Sequence, residues 1–278
     1  MDVKSKRTII IIGASTGIGF QTAVSLSEKF NVIATVRKET DLHKLHDLSI
    51  TAYQLDTANL NSIKPIIQKI FEENNFNIDA IFINAGYGQP GAVEDLPLDA
   101  LRKQFDVNLF APFEIAKGVI PYFRRKGAGK IIINSSVLGF ISLPYRFAYS
   151  SSKHALEAMA STLRLELKNT DISVSVIQPG PIDTRFRHTS FMMFKKNIDE
   201  SRSFHQSQYN LMNKRLSSDK PTSRFTLHPS NCSSVVHKIL CSSNPKNYYR
   251  VTFPTKVFYL LSKVLPSKIM DKILNKSF

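Results

Sequence analysis

Cysteine is nearly absent: Cys232 and Cys241 are the two thiols in 278 residues. Two cysteines cannot build a disulfide scaffold or a four-cysteine zinc site, and they read as ordinary thiols of a reducing compartment. Glycine (11) and proline (13) are too few for a collagen-like or low-complexity chain, and 42% hydrophobic residues exclude a wholly disordered one. Long apolar runs are missing as well. No stretch approaches the roughly 20 residues of a membrane-spanning helix. The apolar run that follows polar Met1–Arg7 is only Ile9–Ile12, against the about seven to fifteen residues of a secretory signal. A cytoplasmic protein is expected, with peripheral contact to a membrane as the one extension.

Acidic residues are scarce relative to basic ones. Asp and Glu number 22 against 37 Lys and Arg, a net charge of +15 at pH 7. Such a field suits nucleic acid, an anionic membrane surface or acidic and phosphorylated ligands. The plainer reading is a soluble enzyme with a lysine-rich surface and no nucleic-acid partner. The histidines form no metal motif: His43 and His46 lie three apart on what reads as an exposed helix, without a Cys/His cluster beside them. No metal is expected.

From residue 8 to about 180, short β-branched runs alternate with longer amphipathic segments. Strands are predicted at Thr8–Ile12, Val32–Val36, Thr51–Leu55, Ala80–Ile83, Lys130–Asn134 and Ser173–Ile177, and helices at Ile18–Lys29, Asn59–Glu73, Leu98–Arg125 and Ala148–Lys168. Most of the strands are apolar on both faces, as strands between two helical layers must be. The pattern predicts an α/β fold: a doubly wound parallel sheet of Rossmann type in three layers. Residues 185–230 carry many basic residues among Phe186, Phe191, Met192, Met193, Phe194 and Phe204 without a clear period, and read as a substrate lid. Val235–Leu240 reads as a helix, Tyr248–Thr252 as a strand and 256–276 as a basic helical stretch. No linker or repeat divides the chain. Residues 1–278 read as one domain, with 8–184 the cofactor and catalytic core and 231–278 its C-terminal helices and strand.

The first strand runs into Gly13-Ala-Ser15-Thr16-Gly17-Ile18-Gly19 and a helix. Gly13 allows a tight turn, Gly17 lets backbone approach a pyrophosphate, and Gly19 lets helix and strand pack closely, while the helix N-terminus offers its amides to phosphate. The second strand ends Val36-Arg37-Lys38, with no carboxylate to hold ribose hydroxyls. Arg37 can pair with a 2′-phosphate, so NADP(H) is expected over NAD(H); the other reading makes Arg37 and Lys38 a solvated pair. Tyr149 and Lys153, four apart on a helix, share a face. A cation beside the phenol would lower its pKa from about 10 and fit it for proton transfer near neutrality.

With these motifs in view, the chain resembles the short-chain dehydrogenase/reductase family. Gly13–Gly19 is similar to its glycine motif and Asn84-Ala85-Gly86 to the motif after its fourth strand. Ser136 stands 149 − 136 = 13 residues before Tyr149, Asn108 stands 28 before Ser136, and Pro179-Gly180-Pro181-Ile182-Asp183-Thr184 resembles the family turn that holds a nicotinamide carboxamide. The resemblance covers residues 8–184. It implies Tyr149 as acid or base, Lys153 as its tuner and ribose ligand, Ser136 as the group polarising substrate oxygen, and Asn108 as the anchor of a water relay. It also implies cofactor contacts from Gly180, Ile182 and Thr184, and an adenine contact from Asp56, which reads equally as an acid of a helix N-cap region. Ile12 departs from the family, which usually has threonine there to tether the Asn-Ala-Gly turn, and this puts that tether in doubt. Ser135 is an alternative to Ser136.

Substrate walls are expected from Val137, Ile141 and Leu143 and from Phe186; the other reading is that these residues only seal the fold. The leading expectation is an NADP(H)-dependent alcohol dehydrogenase or carbonyl reductase for apolar carbonyl or alcohol substrates of steroid, retinoid or acyl type. The alternatives are a 3-ketoacyl thioester reductase served by an acidic carrier protein, and a non-catalytic NADP(H)-sensing module. The family resemblance implies a homodimer or homotetramer built on Leu98–Arg125 and Ala148–Lys168. At the C-terminus, Val257, Leu260, Leu261, Val264 and Leu265 recur at helical spacing among lysines. This stripe reads first as packing over the pocket or a subunit contact, and second as a weak anionic-membrane contact.

Overall fold

The computed structural model describes residues 6–218, 221 and 223–276. Its centre is a parallel sheet of seven strands: β1 (Thr8–Ile12), β2 (Asn31–Val36), β3 (Thr51–Gln54), β4 (Ala80–Ile83), β5 (Ala128–Asn134), β6 (Asp171–Gln178) and β7 (Tyr248–Arg250). They lie in the order β3-β2-β1-β4-β5-β6-β7. Strand side chains alternate between faces, so an all-isoleucine strand feeds two cores at once. Ile10, Ile12, Ile81, Ile83, Ile131 and Ile133 pack on one face, and Ile9, Ile11, Phe82 and Ile132 on the other.

Helices cover both faces. On the first lie α3 (Leu60–Glu73), α5 (Ala111–Lys126) and α6 (Phe147–Glu166), which supply Ile63, Ile67, Ile70, Ile115, Val119 and Leu156 to the core. On the second lie α1 (Gly17–Ser27), α2 (Thr40–His46) and α9 (Ser230–Cys241), with Leu26, Leu45, Val236 and Ile239. Buried Thr22 and Ser233 join α1 to α9 by a hydroxyl contact of 3.1 Å. Lys130 closes the far end of α9, donating to the carbonyls of Ile239, Leu240 and Ser242, as a cation at a helix C-terminus should.

Two expectations need correction. The single helix predicted over Leu98–Arg125 is α4 (Leu98–Phe105), a π-turn (Asp106–Phe110) and then α5. Pro112 has no N–H for the carbonyl of Asn108, four residues earlier, so a regular α-ladder cannot run through this point. The lid segment also contains regular structure, α7 (Phe186–Asn197) and α8 (Gln206–Leu216). Its period was obscured because large apolar residues such as Met192 and Leu211 face solvent, while Phe194, Tyr209, Met212 and Leu216 make a small core with Ala92 and Ile198. The basic stretch at 256–276 is a pair of helices, α10 (Phe253–Val264) and α11 (Ser267–Lys276), parted at Pro266, as that proline within the apolar stripe implies. Among the described residues, no helix is long and apolar enough to cross a membrane.

Candidate active site

The strand order reverses between β1 and β4, and a crevice must open where their following loops diverge. The loop after β1 is the glycine loop. Gly13 has φ +84°, and a Cβ on it would stand 2.8 Å from Ala85; a Cβ on Gly19 would stand 2.1 Å from the Gly13 carbonyl oxygen. Side chains are therefore barred from the turn. Thr16, ahead of α1, makes no side-chain cap, which leaves the first amides of the helix to another acceptor.

The doubt raised by Ile12 is resolved by main chain. The Ile12 carbonyl accepts from the amides of Asn84 (3.1 Å) and Ala85 (2.9 Å), and Asn84 Nδ2 donates to the Gly13 carbonyl at 2.8 Å. Asn134 Nδ2 donates in turn to Asn84 Oδ1 at 2.9 Å. The Asn-Ala-Gly turn is tied to the glycine loop without any threonine hydroxyl.

α6 presents Tyr149 and Lys153 side by side, both buried. Lys153 Nζ donates to the Asn134 carbonyl at 2.8 Å and lies 5.8 Å from the centre of the Tyr149 ring. Ser136 Oγ accepts from the Leu138 amide at 3.1 Å, which leaves its own proton free to donate. Burial pushes the Tyr149 phenol up to about 12, with the Ser136 hydroxyl pulling the other way; burial draws Lys153 down to about 8, opposed by Glu157. In this geometry burial is the largest influence on the phenol and the Ser136 hydroxyl opposes it, with no lowering from Lys153. Ser135, the alternative to Ser136, also borders the crevice, with its hydroxyl turned toward Gly139 and Glu157.

Asn108, fully buried in the π-turn, spends its side chain on protein: Nδ2 donates to the Tyr87 carbonyl (2.9 Å) and the Ser152 hydroxyl (3.1 Å), and Oδ1 accepts from the Tyr87 amide (3.1 Å).

These elements enclose a cavity of about 400 Å³. Gly13, Ser15, Thr16, Gly17, Ile18, Asn84, Ala85, Gly86, Ser136, Tyr149, Lys153, Pro179, Gly180, Ile182 and Thr184 all border it, as do the expected substrate residues Val137, Leu143 and Phe186. The Phe186 ring meets Tyr149 edge-on at 5.3 Å. Six expected residues are not on its wall: Asn108, Gly19, Ile141, Arg37, Lys38 and Asp56. Ile141 packs beneath the site with Leu138, Met270 and Leu274. Arg37 and Lys38 are exposed at the end of β2, and Asp56 is exposed after β3, its Oδ1 accepting from the Ala58 amide at 3.0 Å. That bond is the local turn role that the sequence left open for Asp56. Four arginines not singled out in the sequence, Arg146, Arg185, Arg187 and Arg215, also border the cavity; the basic character of residues 185–230 was the available signal. His43 and His46 are exposed on α2, and among the described residues no cluster of three His, Cys, Asp or Glu could hold a metal.

A sequence model described as short chain dehydrogenase matches residues 7–193. The chain is 32% identical over 270 residues to the uncharacterized oxidoreductase YbbO of Escherichia coli K12, covering 97% of this chain and 94% of that protein. It is 30% identical to a 3-ketodihydrosphingosine reductase of Bacteroides thetaiotaomicron, covering 95% and 94%. Among solved structures, a short chain dehydrogenase/reductase of Burkholderia phymatum in complex with NAD superposes with a TM-score of 0.78 at 17% identity, covering 98% of this chain and 97% of that one. At that identity the likeness speaks for the fold.

Proposed function

The chain belongs to the short-chain dehydrogenase family and is an oxidoreductase, and from that premise we propose that it interconverts a carbonyl and an alcohol on a largely apolar substrate with NADP(H). The observation that carries this reading is the convergence of Ser136, Tyr149 and Lys153 on the cavity that the glycine loop also borders. The residues present fit a dinucleotide. Gly13, Ser15, Thr16 and Gly17 border the cavity as a tight turn held closed because Cβ atoms on Gly13 and Gly19 would strike Ala85 and the Gly13 carbonyl, α1 has uncapped amides, and the buried Asn134 Oδ1 on the cavity wall has no protein partner among the described residues.

Bound there, the nicotinamide would take or supply the hydride. Tyr149, protonated at neutral pH, would donate its phenolic proton to the carbonyl oxygen in reduction and recover one in oxidation. Ser136 would hydrogen-bond that same oxygen, a bond that strengthens as negative charge develops. Lys153 keeps a positive charge beside the phenol that gives up its proton. A water on the Asn108 carbonyl would return protons to Lys153 from solvent. Arg37 would pair with the 2′-phosphate of the adenosine, where Val36 offers nothing to a free ribose hydroxyl. Val137, Leu143 and Phe186 supply apolar wall for the substrate body. The relative named for 3-ketodihydrosphingosine, a long-chain ketone, supports the substrate class.

The test is NADPH oxidation by the purified protein over a panel of hydrophobic ketones, aldehydes and acyl thioesters, with Tyr149→Phe as control. Turnover should appear with the ketones or aldehydes and fall about 10²–10⁴-fold in the variant while NADPH still binds. Near-normal kcat in Tyr149→Phe removes the tyrosine from the mechanism. Turnover confined to thioesters gives the site to acyl chains on a carrier.

A further inference from the structure

Five cationic side chains border the cavity, Arg146, Lys153, Arg185, Arg187 and Arg215, and no aspartate or glutamate does. Lys153 belongs to the proton-transfer machinery. Arg185 and Arg187 follow Thr184, whose side chain lies 3.2 Å from where a Cβ on Gly17 would stand, so they flank the glycine loop. Arg146 and Arg215 come from elements that contribute nothing to that loop. Arg146 is the residue before α6, three positions ahead of Tyr149. Its Nη1 stands 3.4 Å from Met212 Sδ on α8. Arg215 is three residues beyond Met212 on that helix and therefore on the same side.

The placement of Arg146 is built, not incidental. Tyr145 just before it has φ +60°, a left-handed backbone that a tyrosine adopts only where packing imposes it. The Tyr145 ring is held edge-on by His205 (5.3 Å) and Tyr209 (5.9 Å). Among the described residues, neither Arg146 nor Arg215 forms an ion pair with a carboxylate. Instead they oppose each other: burial and then the charge of Arg215 draw Arg146 down to about 10, and Arg215 is drawn down by partial burial and by Arg187. Guanidinium groups stay charged throughout, so this repulsion persists unless an anion lies between them. A carboxylate or phosphate monoester accepts from both planar forks and turns the repulsion into attraction. The wall beside them is Val137, Leu138, Leu143 and Phe186, which suits hydrocarbon.

We propose that Arg146 and Arg215 form an anion subsite, and that the substrate is an amphiphile whose hydrocarbon body carries a carboxylate or phosphate monoester held there while its carbonyl lies at Tyr149 and Ser136. The proposal rests on the oxidoreductase reading above and narrows its substrate class.

Binding and turnover are measured separately so that the two readings fail separately. Protein loaded with NADP⁺ is titrated calorimetrically with decanoate, decyl phosphate and decanol, and NADPH oxidation is followed with 2-, 5- and 8-oxodecanoate against their methyl esters. At least one anionic chain should bind about tenfold or more tighter than decanol, and the oxo acids should be preferred to their esters. The better of decanoate and decyl phosphate identifies the anion. Arg146→Gln combined with Arg215→Gln should bring the preference for the anion to within about threefold of decanol, with NADP⁺ affinity unchanged. Should the Arg146 variant not fold, Arg215→Gln alone decides, with at least a threefold loss of the preference expected. Equal affinity for decanol and the anions, or a preference that survives the substitutions, overturns the subsite. A rise in the NADP⁺ dissociation constant with the anion preference intact assigns the arginines to the cofactor and also overturns it. Tight, arginine-dependent binding with no turnover of any oxo acid leaves the subsite standing and strikes at the carbonyl chemistry instead.

Discussion

The Asn134 carbonyl accepts from Lys153 Nζ at 2.8 Å, and the Asn134 side chain donates to Asn84 at 2.9 Å. Since Asn84 in turn donates to the Gly13 carbonyl, one hydrogen-bonded line runs from the ammonium beside the reacting phenol to the turn that would cradle the cofactor phosphates. The position of each end therefore depends on the other. Two asparagines, Asn134 at the end of β5 and Asn84 just after β4, thus join Lys153 to the glycine loop.

Lys153 sets the first prediction. With burial drawing it down to about 8 and pushing Tyr149 up to about 12, both groups are protonated at pH 7. Reduction needs the Tyr149 proton and the Lys153 charge. As pH rises through about 8 the lysine loses its charge while the tyrosine keeps its proton, so the rate of carbonyl reduction should fall on the alkaline side through lysine alone. A profile of kcat from pH 6 to 10 measures this, and Lys153→Arg, which holds its charge, should move the alkaline limb out of range. A flat profile to pH 10, or an unmoved limb in the arginine variant, refutes the assignment.

The second prediction concerns cofactor choice. Arg37 is exposed one residue beyond fully buried Val36, and its carbonyl accepts from Gln54 Nε2 at 3.3 Å, which fixes the backbone but leaves the guanidinium in water. Arg37→Ala should weaken NADPH about tenfold, the lower end of a charge-assisted hydrogen bond because solvent and salt screen it. NADH affinity should be nearly unchanged. Equal losses for the two cofactors in a fluorescence titration show that Arg37 does not read the phosphate.

These motifs were legible because each is local. The glycine turn, the Asn-Ala-Gly turn and the Tyr-Lys pair fit within one element or one loop, where spacing fixes geometry. The strands were equally plain, since β1, β4 and the Ile131–Ile133 centre of β5 are buried on both faces and read as apolar runs. What escaped was set by tertiary packing. Arg146 reaches Met212, one turn before Arg215, only because α8 folds back over the start of α6, and nothing in the 68 intervening residues (215 − 146 − 1) announces it. The π-turn was readable in principle from Pro112, four residues after Asn108. Helices α7 and α8 were hidden because their buried side is narrow and their outer side also carries large apolar residues. The Tyr149 pKa depends on how completely the phenol leaves water, which no spacing rule expresses.

The third prediction concerns assembly. α5 and α6 present Phe113 and Leu165 to solvent, 46% and 71% exposed. Between these helices is a shallow cavity of about 460 Å³ lined by Phe113, Ala116, Ile120, Met159 and Leu163 among others. An apolar face of this kind invites a second copy of the chain. The wild-type protein should run as a dimer or tetramer in light scattering, and Phe113→Glu with Leu163→Glu should yield monomer with the fold retained by circular dichroism. A monomeric wild type at micromolar concentration removes these helices as an interface.

The last prediction concerns the C-terminal helices. Their inner side is settled by packing: Met270 and Leu274 of α11 and Phe258 and Leu261 of α10 close over Leu138, Ile141 and Tyr149. The outer side is not. Phe253, Leu260 and Val264 are 61%, 64% and 70% exposed along one side of α10, with exposed Lys256 and Lys263 among them. Apolar residues flanked by lysines match an anionic bilayer, which takes hydrocarbon below and cations at the headgroups. Each basic residue near the surface should contribute about 1 kcal/mol, and burying an exposed Leu or Val about 1.5 kcal/mol or more. Together these suffice for weak, reversible docking of a helix lying above the cavity that would receive an apolar substrate. Co-sedimentation with phosphatidylserine vesicles at low salt should capture the protein, neutral vesicles or high salt should release it, and Leu260→Glu with Val264→Glu should abolish capture. Capture that these two substitutions leave intact places any membrane contact elsewhere on the basic surface, and no capture at low salt leaves α10 with its packing role alone.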